Sequence, residues 1–190
     1  MIYDFTLAET LRLANVKRWG IVEMSRDQSV AEHTCNVMMI AQSLVTEYNK
    51  MIAPENMISM AQQLTLLQAC LTHDLPEIYS GDIPTPTKRA VGRPAFQEWE
   101  RKRFPLLYQL MGGLDPVTAK IKALADVMEA RIYLRRWCVD LRFSMILEDL
   151  DSMVGALLQI TPDSDVRQRT AICQAFRRVS SEVKMHGGMS

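Results

Sequence analysis

The sequence predicts an all-α fold: one compact bundle of six to seven helices. Three observations carry that expectation. Apolar residues recur at spacings of three and four along almost the whole chain, the period of a helix with one buried face. No stretch alternates apolar and polar, as a half-buried strand would, for more than a few residues. At 190 residues and 48% apolar side chains, the chain suits one ordinary domain with a sizeable core, spanning 1–190.

From Ser29 onward, Val30, His33, Val37, Ile40, Ala41, Leu44 and Tyr48 mark one helix face, and Ser29 with Glu32 reads as a capping box at its start. A second helix is expected from Pro54, a good first-turn residue, through Met60, Leu64, Leu67 and Leu71. It should stop around Asp74–Leu75, because Pro76 disfavours helix in the residue before it. Residues 80–94, SGDIPTPTKRAVGRP, hold three prolines and two glycines and read as an irregular surface loop. Long loops of that kind in compact domains are often functional. Helical periodicity resumes over about 95–111, 116–138, 142–160 and 163–185, with breaks at Gly112-Gly113, Asp140 and Thr161-Pro162.

Composition excludes several classes. Twenty-two basic residues balance 22 acidic ones, which argues against a generally basic nucleic-acid coat protein while leaving a local basic patch open. High apolar content with balanced charge argues against disorder. Cys35, Cys70, Cys138 and Cys173 form no CxxC or CxxH pair, so they read as reduced core thiols rather than a zinc ribbon or dithiol motif. The stretch MIYDFTLAETLRLA carries acids where a signal peptide needs basic residues and an apolar run, and the longest apolar runs fall far short of a membrane span. A cytoplasmic protein with neither a membrane nor a nucleic-acid partner is expected.

The chemistry concentrates in a few residues. Of three histidines, His186 falls in a tail before Gly187-Gly188 and is expected to be exposed. His33 and His73 fall on apolar helical faces, where satisfied core histidines are the plain alternative to ligands. His73 is followed at once by Asp74, and an adjacent imidazole and carboxylate at a helix end can reach one cation. Glu77 would lie near the same point. Mixed nitrogen and oxygen donors suit Zn²⁺, Mn²⁺ or Co²⁺. Asp126, in KIKALADVMEARIYL, is the best further carboxylate, since an unpaired acid in an apolar stretch is costly; pairing with Lys122 or Arg131 is its alternative.

A lone His, an HD pair 40 residues on and an Asp some 50 further along a helical chain resembles the HD-domain phosphohydrolase superfamily. The finer resemblance is to its 5'-deoxynucleotidase branch, with related phage dATP triphosphohydrolases. Arg18-Trp19, Val30-Ala31-Glu32-His33, His73-Asp74 with Glu77, the run GDIPTPTK from Gly81 to Lys88, and Ala125-Asp126 carry it, over roughly residues 10–135. Thr34 stands where that family often has Ser, and Pro76 interrupts HDLPE, but neither removes a ligand.

That resemblance implies His33, His73, Asp74 and Asp126 as ligands of one divalent metal: Zn²⁺, Mn²⁺ or Co²⁺ first, then Mg²⁺ or Ni²⁺, with room for a second ion near the phosphates. It implies Glu77 as the acid/base carboxylate, and Asp82 as a group on the sugar 3'-hydroxyl or the leaving 5'-oxygen. Arg18 would bind phosphate, Trp19 and Ile21 would wall a base pocket, and Pro84 would crowd the 2'-position and exclude ribose. Lys88, with Arg89, Arg93 and Lys17, would hold further phosphates. The expected activity is hydrolysis of a 2'-deoxynucleotide at O5', leaning to a dNTP, dATP foremost, split to deoxynucleoside and triphosphate. The alternative is release of phosphate from a dNMP. A signalling-nucleotide hydrolase and a catalytically dead HD scaffold fit less well. The resemblance also implies a homo-oligomer, a dimer or larger, with residues 142–185 completing the core or an interface.

Overall fold

The structure, a computed structural model, describes residues 4–159 and 166–186. Its α-helices are α1 (Leu7–Thr10), α2 (Val30–Asn49), α3 (Met60–Thr72), α4 (Glu77–Ser80), α5 (Thr85–Val91), α6 (Arg93–Arg103), α7 (Pro105–Gly112), α8 (Pro116–Trp137), α9 (Phe143–Leu158) and α10 (Val166–His186). The all-α expectation holds, with seven of these helices eight residues or longer among the described residues. No helix there is long and apolar enough to cross a membrane.

Several starts and stops differ from the sequence expectation. Ser29 does cap α2, accepting from the Glu32 N–H at 3.1 Å, but the Glu32 carboxylate turns away to Arg26, so only half of the capping box forms. Pro54 leads a single 3₁₀ turn, Pro54–Asn56, and α3 begins at Met60. Ser59 and Gln62 make the full box there, the Gln62 Oε1 accepting from the Ser59 N–H at 2.9 Å. A reciprocal pair of caps outweighs one favourable proline.

Residues 80–94 are not a loop throughout. Pro86 and Pro94 sit in the first turns of α5 and α6, where a missing N–H costs nothing. Gly92, at φ +97°, makes the break between them. A further break falls at Phe104, which is held out of helix by Pro105 behind it. The start of α7 then borrows its cap from far away, since Asp4 Oδ2 accepts from the N–H groups of Leu106 and Leu107. The break expected at Thr161-Pro162 lies outside the described residues. So does the His186 side chain, whose backbone ends α10.

Two apolar clusters hold the bundle. The larger joins α2, α3, α8 and α10 through Val37, Leu44, Tyr48, Leu66, Cys70 and Leu124, with Ala175 and Val179 from α10. The smaller gathers Phe5, Leu13, Val30, Leu75, Ile78, Phe104 and Leu107, with Phe5 stacked on Phe104 at 4.6 Å. Leu75 and Ile78 thus anchor the chain just after α3, the stretch that carries HDLPE.

All four cysteines are free, but only Cys70 is a core thiol; Cys35, Cys138 and Cys173 are half-buried, against the expectation that all four lie in the core. Burial pushes the Cys70 thiol up to about 12, so at pH 8 about one molecule in ten thousand carries a thiolate there. Native protein treated with a thiol reagent at pH 8 is expected to leave Cys70 unlabelled in peptide mapping, whereas denatured protein labels all four. Rapid native labelling of Cys70 would contradict the packing of the larger cluster.

Candidate active site

His33 lies just past the first turn of α2, His73 is the residue that ends α3, Asp74 follows it, and Asp126 sits near the middle of α8. The HD pair can face one point because α3 stops there. A run of tight backbone bonds, Leu75 N to Thr72 O and Glu77 N to Asp74 O at 3.0 Å each, carries the chain through HDLPE into α4. Pro76 does not disturb that turn; it immediately precedes the first residue of α4.

One donor atom each from His33, His73 and Asp74 lie within 4.8 Å of one another. The His33 Nε2 stands 3.6 Å from Asp74 Oδ2 and 3.1 Å from Asp126 Oδ1. The His73 Nε2 stands 3.3 Å from Asp74 Oδ2 and 3.8 Å from Asp126 Oδ2. Ligands held tetrahedrally at the usual Zn–N and Zn–O lengths would be roughly 3.3–3.6 Å apart. Both Nε2 atoms are buried and make no hydrogen bond, while the opposite nitrogens are engaged: His73 Nδ1 with Cys70 O at 2.8 Å, His33 Nδ1 with Glu129 Oε2 at 2.5 Å. A satisfied core histidine would not leave that atom bare. The donor set therefore fits a divalent transition metal.

Asp126 pairs with Lys122, as its plainer alternative has it, and still turns its other oxygen to His33. Its Oδ2 accepts from Lys122 at 3.4 Å while Oδ1 faces His33; Arg131 pairs instead with Asp151.

The charges around this point are strongly coupled. Burial and Arg18 push His33 down, yet the carboxylates of Asp126 and Glu129 beside it outweigh them and lift it to about 9. Burial drives His73 down to about 4. Burial would raise Asp74 and Asp126, but the imidazoles, with Arg18 and Lys122 respectively, hold both below the usual carboxylate range. Glu77 goes the other way. Burial, Asp74 and Asp82 push it up to about 8 against Lys88 and Arg18. Its Oε1 is 3.4 Å from Lys88 Nζ and its buried Oε2 has no hydrogen bond.

Arg18 and Trp19 enter from the segment before α2, which is strapped at two places. Arg18 N donates to Gln28 O at 2.8 Å, and Ser25 N donates to Trp137 O at 2.8 Å. Arg18 lies among Asp74, Asp126, Glu129 and Asp82. Trp19 adopts φ +67°, a left-handed conformation costly for a bulky residue. Asp82 Oδ2 holds it there by accepting its N–H at 3.1 Å, and its indole ring stacks with Tyr133. Asp82 is therefore tied to the site rather than being a free turn residue.

Ile21 is 51% exposed, and its carbonyl accepts from Arg142. Pro84 immediately precedes α5, two residues past Asp82. Lys17 points outward to Asp27, away from the cluster. The side chains of residues 89 and 93 lie outside the described ones. A cleft of about 300 Å³ lined by Ser80, Val91, Ala95, Phe96 and Trp99 opens beside α4.

Two residues at the heart of the site were not singled out from sequence. Glu129, 2% exposed, accepts from Arg18, Gln28, His33 and Asn36. It lies three residues after Asp126 in the same apolar stretch, so the cost argument applied to Asp126 would have found it. Gln28, 0% exposed, carries no such signal between Asp27 and Ser29.

Comparison with known proteins agrees with this arrangement. A family model described as "5'-deoxynucleotidase YfbR-like" matches residues 6–102, just over half of the chain. A dATP triphosphohydrolase of Cyanophage S-2L is 29% identical over 130 residues, covering 67% of this chain and 68% of the relative. One of Salmonella phage PMBT28 is 32% identical over 130 residues, covering 68% and 66%. A 5'-deoxynucleotidase of Erwinia tasmaniensis is 33% identical over 92 residues, covering 46% and 42%. Among solved structures, the Cyanophage S-2L HD phosphohydrolase DatZ, bound to dA and one catalytic Zn²⁺ ion, shares the fold at a TM-score of 0.80 and 22% identity, over 95% of this chain and 98% of that one. With the matched span and the assembled HD residues pointing the same way, the chain belongs to the YfbR-like 5'-deoxynucleotidase family of HD-domain phosphohydrolases.

Proposed function

We propose that this chain hydrolyses 2'-deoxynucleotides at O5' with a divalent metal held by His33, His73, Asp74 and Asp126. The observation that carries the proposal is the pair of buried, unbonded Nε2 atoms facing two carboxylates, with Arg18, Trp19 and Asp82 packed around them. The ion would supply polarisation of a phosphoryl oxygen and acidification of water. Zn²⁺ is the first metal to test, as the ion bound by the DatZ neighbour, with Mn²⁺ and Co²⁺ next and Mg²⁺ or Ni²⁺ behind. A second ion near the phosphates is tested in the same metal series.

The remaining residues divide the work. Glu77 Oε2 has no competing donor, and a carboxyl lifted to about 8 exchanges its proton near neutral pH; its ionised form, which Lys88 beside Oε1 favours, would take a proton from the attacking water. Asp82 spends Oδ2 on the Trp19 N–H and keeps Oδ1 for the sugar 3'-hydroxyl or the leaving 5'-oxygen. Arg18 has guanidinium N–H groups beyond the one on Glu129 for phosphate. Trp19 with Ile21 walls the base, and Pro84 crowds the 2'-position.

The favoured substrate is dATP, split to deoxyadenosine and triphosphate. Phage relatives of that name cover about two thirds of both chains, which supports it more than local cations do, because Lys17 is engaged with Asp27. The second reading, phosphate release from dNMPs, is favoured by the matching family model itself. Either activity belongs in the cytoplasm, without membrane or nucleic acid as partner, in a single domain over 1–190.

Incubation with each dNTP, dNMP and matching ribonucleotide, with Zn²⁺, Mn²⁺ or Co²⁺, is expected to give triphosphate from dATP on HPLC and little turnover of ATP. Phosphate from dNMPs alone would replace the triphosphate reading, and equal use of ATP would remove the role of Pro84. Asp74→Asn should lower kcat by at least about a hundredfold and reduce bound metal measured by elemental analysis; retained metal and full activity would sink the ligand assignment. We also propose self-association to a dimer or larger ring. Light scattering after size exclusion checks it, and a monomer at working concentration would count against it.

A further inference from the structure

The Glu129 carboxylate lies behind the metal-facing residues, with four donors on two oxygens. Oε2 takes His33 Nδ1 at 2.5 Å and Arg18 Nη1 at 3.3 Å; Oε1 takes Gln28 Nε2 at 2.6 Å and Asn36 Nδ2 at 3.1 Å. An ionised carboxylate offers about four acceptor sites, so none is left over. The Gln28 amide is oriented by its other end, because its Oε1 accepts the Trp19 indole N–H at 2.9 Å and the amide nitrogen must therefore face Glu129. With Gln28 and Glu129 at 0% and 2% exposure, no water is at hand to replace a lost partner.

Resting on the metal centre proposed above, we infer that Glu129 is the positioning residue of His33 and that Gln28 extends its hold to Trp19, so that the base wall and the metal form one coupled unit. The chain Trp19–Gln28–Glu129–His33 is continuous in hydrogen bonds, part-buried at Trp19 and buried from Gln28 inward. Glu129 makes His33 Nδ1 the proton-bearing nitrogen and leaves Nε2 for the ion. A nucleoside that fixes the indole fixes the Gln28 amide, and with it the carboxylate that aims the imidazole. The coupling is reciprocal: metal binding should tighten the nucleoside site by the same factor.

The test is the Zn²⁺ affinity of metal-stripped protein, read by competition with a chromophoric chelator, with and without deoxyadenosine. In the wild type deoxyadenosine is expected to strengthen Zn²⁺ binding by at least about fivefold. Glu129→Gln should weaken Zn²⁺ binding about 10–100-fold, because its amide nitrogen meets donors where the carboxylate accepted them. Gln28→Leu removes one of the two donors on Oε1, as Asn36→Ala removes the other, so both should weaken Zn²⁺ binding by a similar few-fold, while only Gln28→Leu brings the deoxyadenosine effect to near one. Asn36→Ala removes a bond to the same oxygen without touching Trp19 and should keep the effect; a merely structural network would make these two variants alike. If Glu129→Gln does not fold, judged by circular dichroism, the Gln28 and Asn36 pair decides. A Gln28→Leu protein with the full deoxyadenosine effect, or a folded Glu129→Gln protein with wild-type Zn²⁺ affinity, overturns the inference alone. A wild type that binds no Zn²⁺ overturns the metal centre with it.

Discussion

Too much negative charge in too little water is the constraint around which this protein is arranged. Asp74, Glu77, Asp82, Asp126 and Glu129 crowd the crossing of α2, α8 and the end of α3, answered by Arg18, Lys88 and Lys122 and two imidazoles. Left unpaired in such a place, a carboxylate costs several kcal/mol. The structure meets that cost unevenly. Glu129 is saturated with donors and held below the usual range, while Glu77 lacks a partner for Oε2 and is held well above it. Two carboxylates with opposite environments can take opposite tasks: one holds its neighbours in place, the other can exchange a proton. A divalent cation would relieve the same crowding, so binding and stability should favour the same occupied state.

Such a cluster needs rigid walls, and the two apolar clusters supply them on either side. Cys70 and Leu66 pack α3 against α2 and α8 immediately before the HD pair, and Leu75 and Ile78 pin the chain immediately after it. HDLPE is therefore held at both ends by buried side chains, which is how a turn of four residues can present His73 and Asp74 without a regular element of its own.

Legibility from sequence followed the size of the local energy at stake. The helical period, the caps and the costly acids in apolar stretches were readable, because each expresses a penalty that any fold must meet. His33, His73, Asp74 and Asp126 come together as the motif implied. The Pro-rich stretch was misread because proline has two meanings: it breaks a helix from inside and starts one from its first turn, and Pro86 and Pro94 do the second. Pro54 was misread the other way, as Ser59 and Gln62 bind each other more firmly a few residues on. Gln28 could not be read at all. Its importance lies in a bond to a residue 101 positions away, and no spacing rule reaches that far.

On the function proposed, the site also separates the residues that would do chemistry from those that would choose a substrate. His33, Asp126 and the His73-Asp74 pair sit on α2, on α8 and in the turn that ends α3, between buried faces. Arg18, Trp19, Ile21, Asp82 and Pro84 sit on connecting segments, tied by a few hydrogen bonds and one strained backbone at Trp19. Segments of that kind can shift without repacking the core. With the roles proposed above, a change from monophosphate to triphosphate substrates would fall on the segments around Trp19 and Lys88 rather than on the four residues proposed to hold the metal. The limit on that freedom is Gln28. Its fully buried side chain joins the Trp19 indole to the Glu129 network, beside Arg18, which bonds Glu129 and lies over the same ring, so a change of substrate that moves Trp19 must either preserve the Gln28 bond or weaken the link between base and metal.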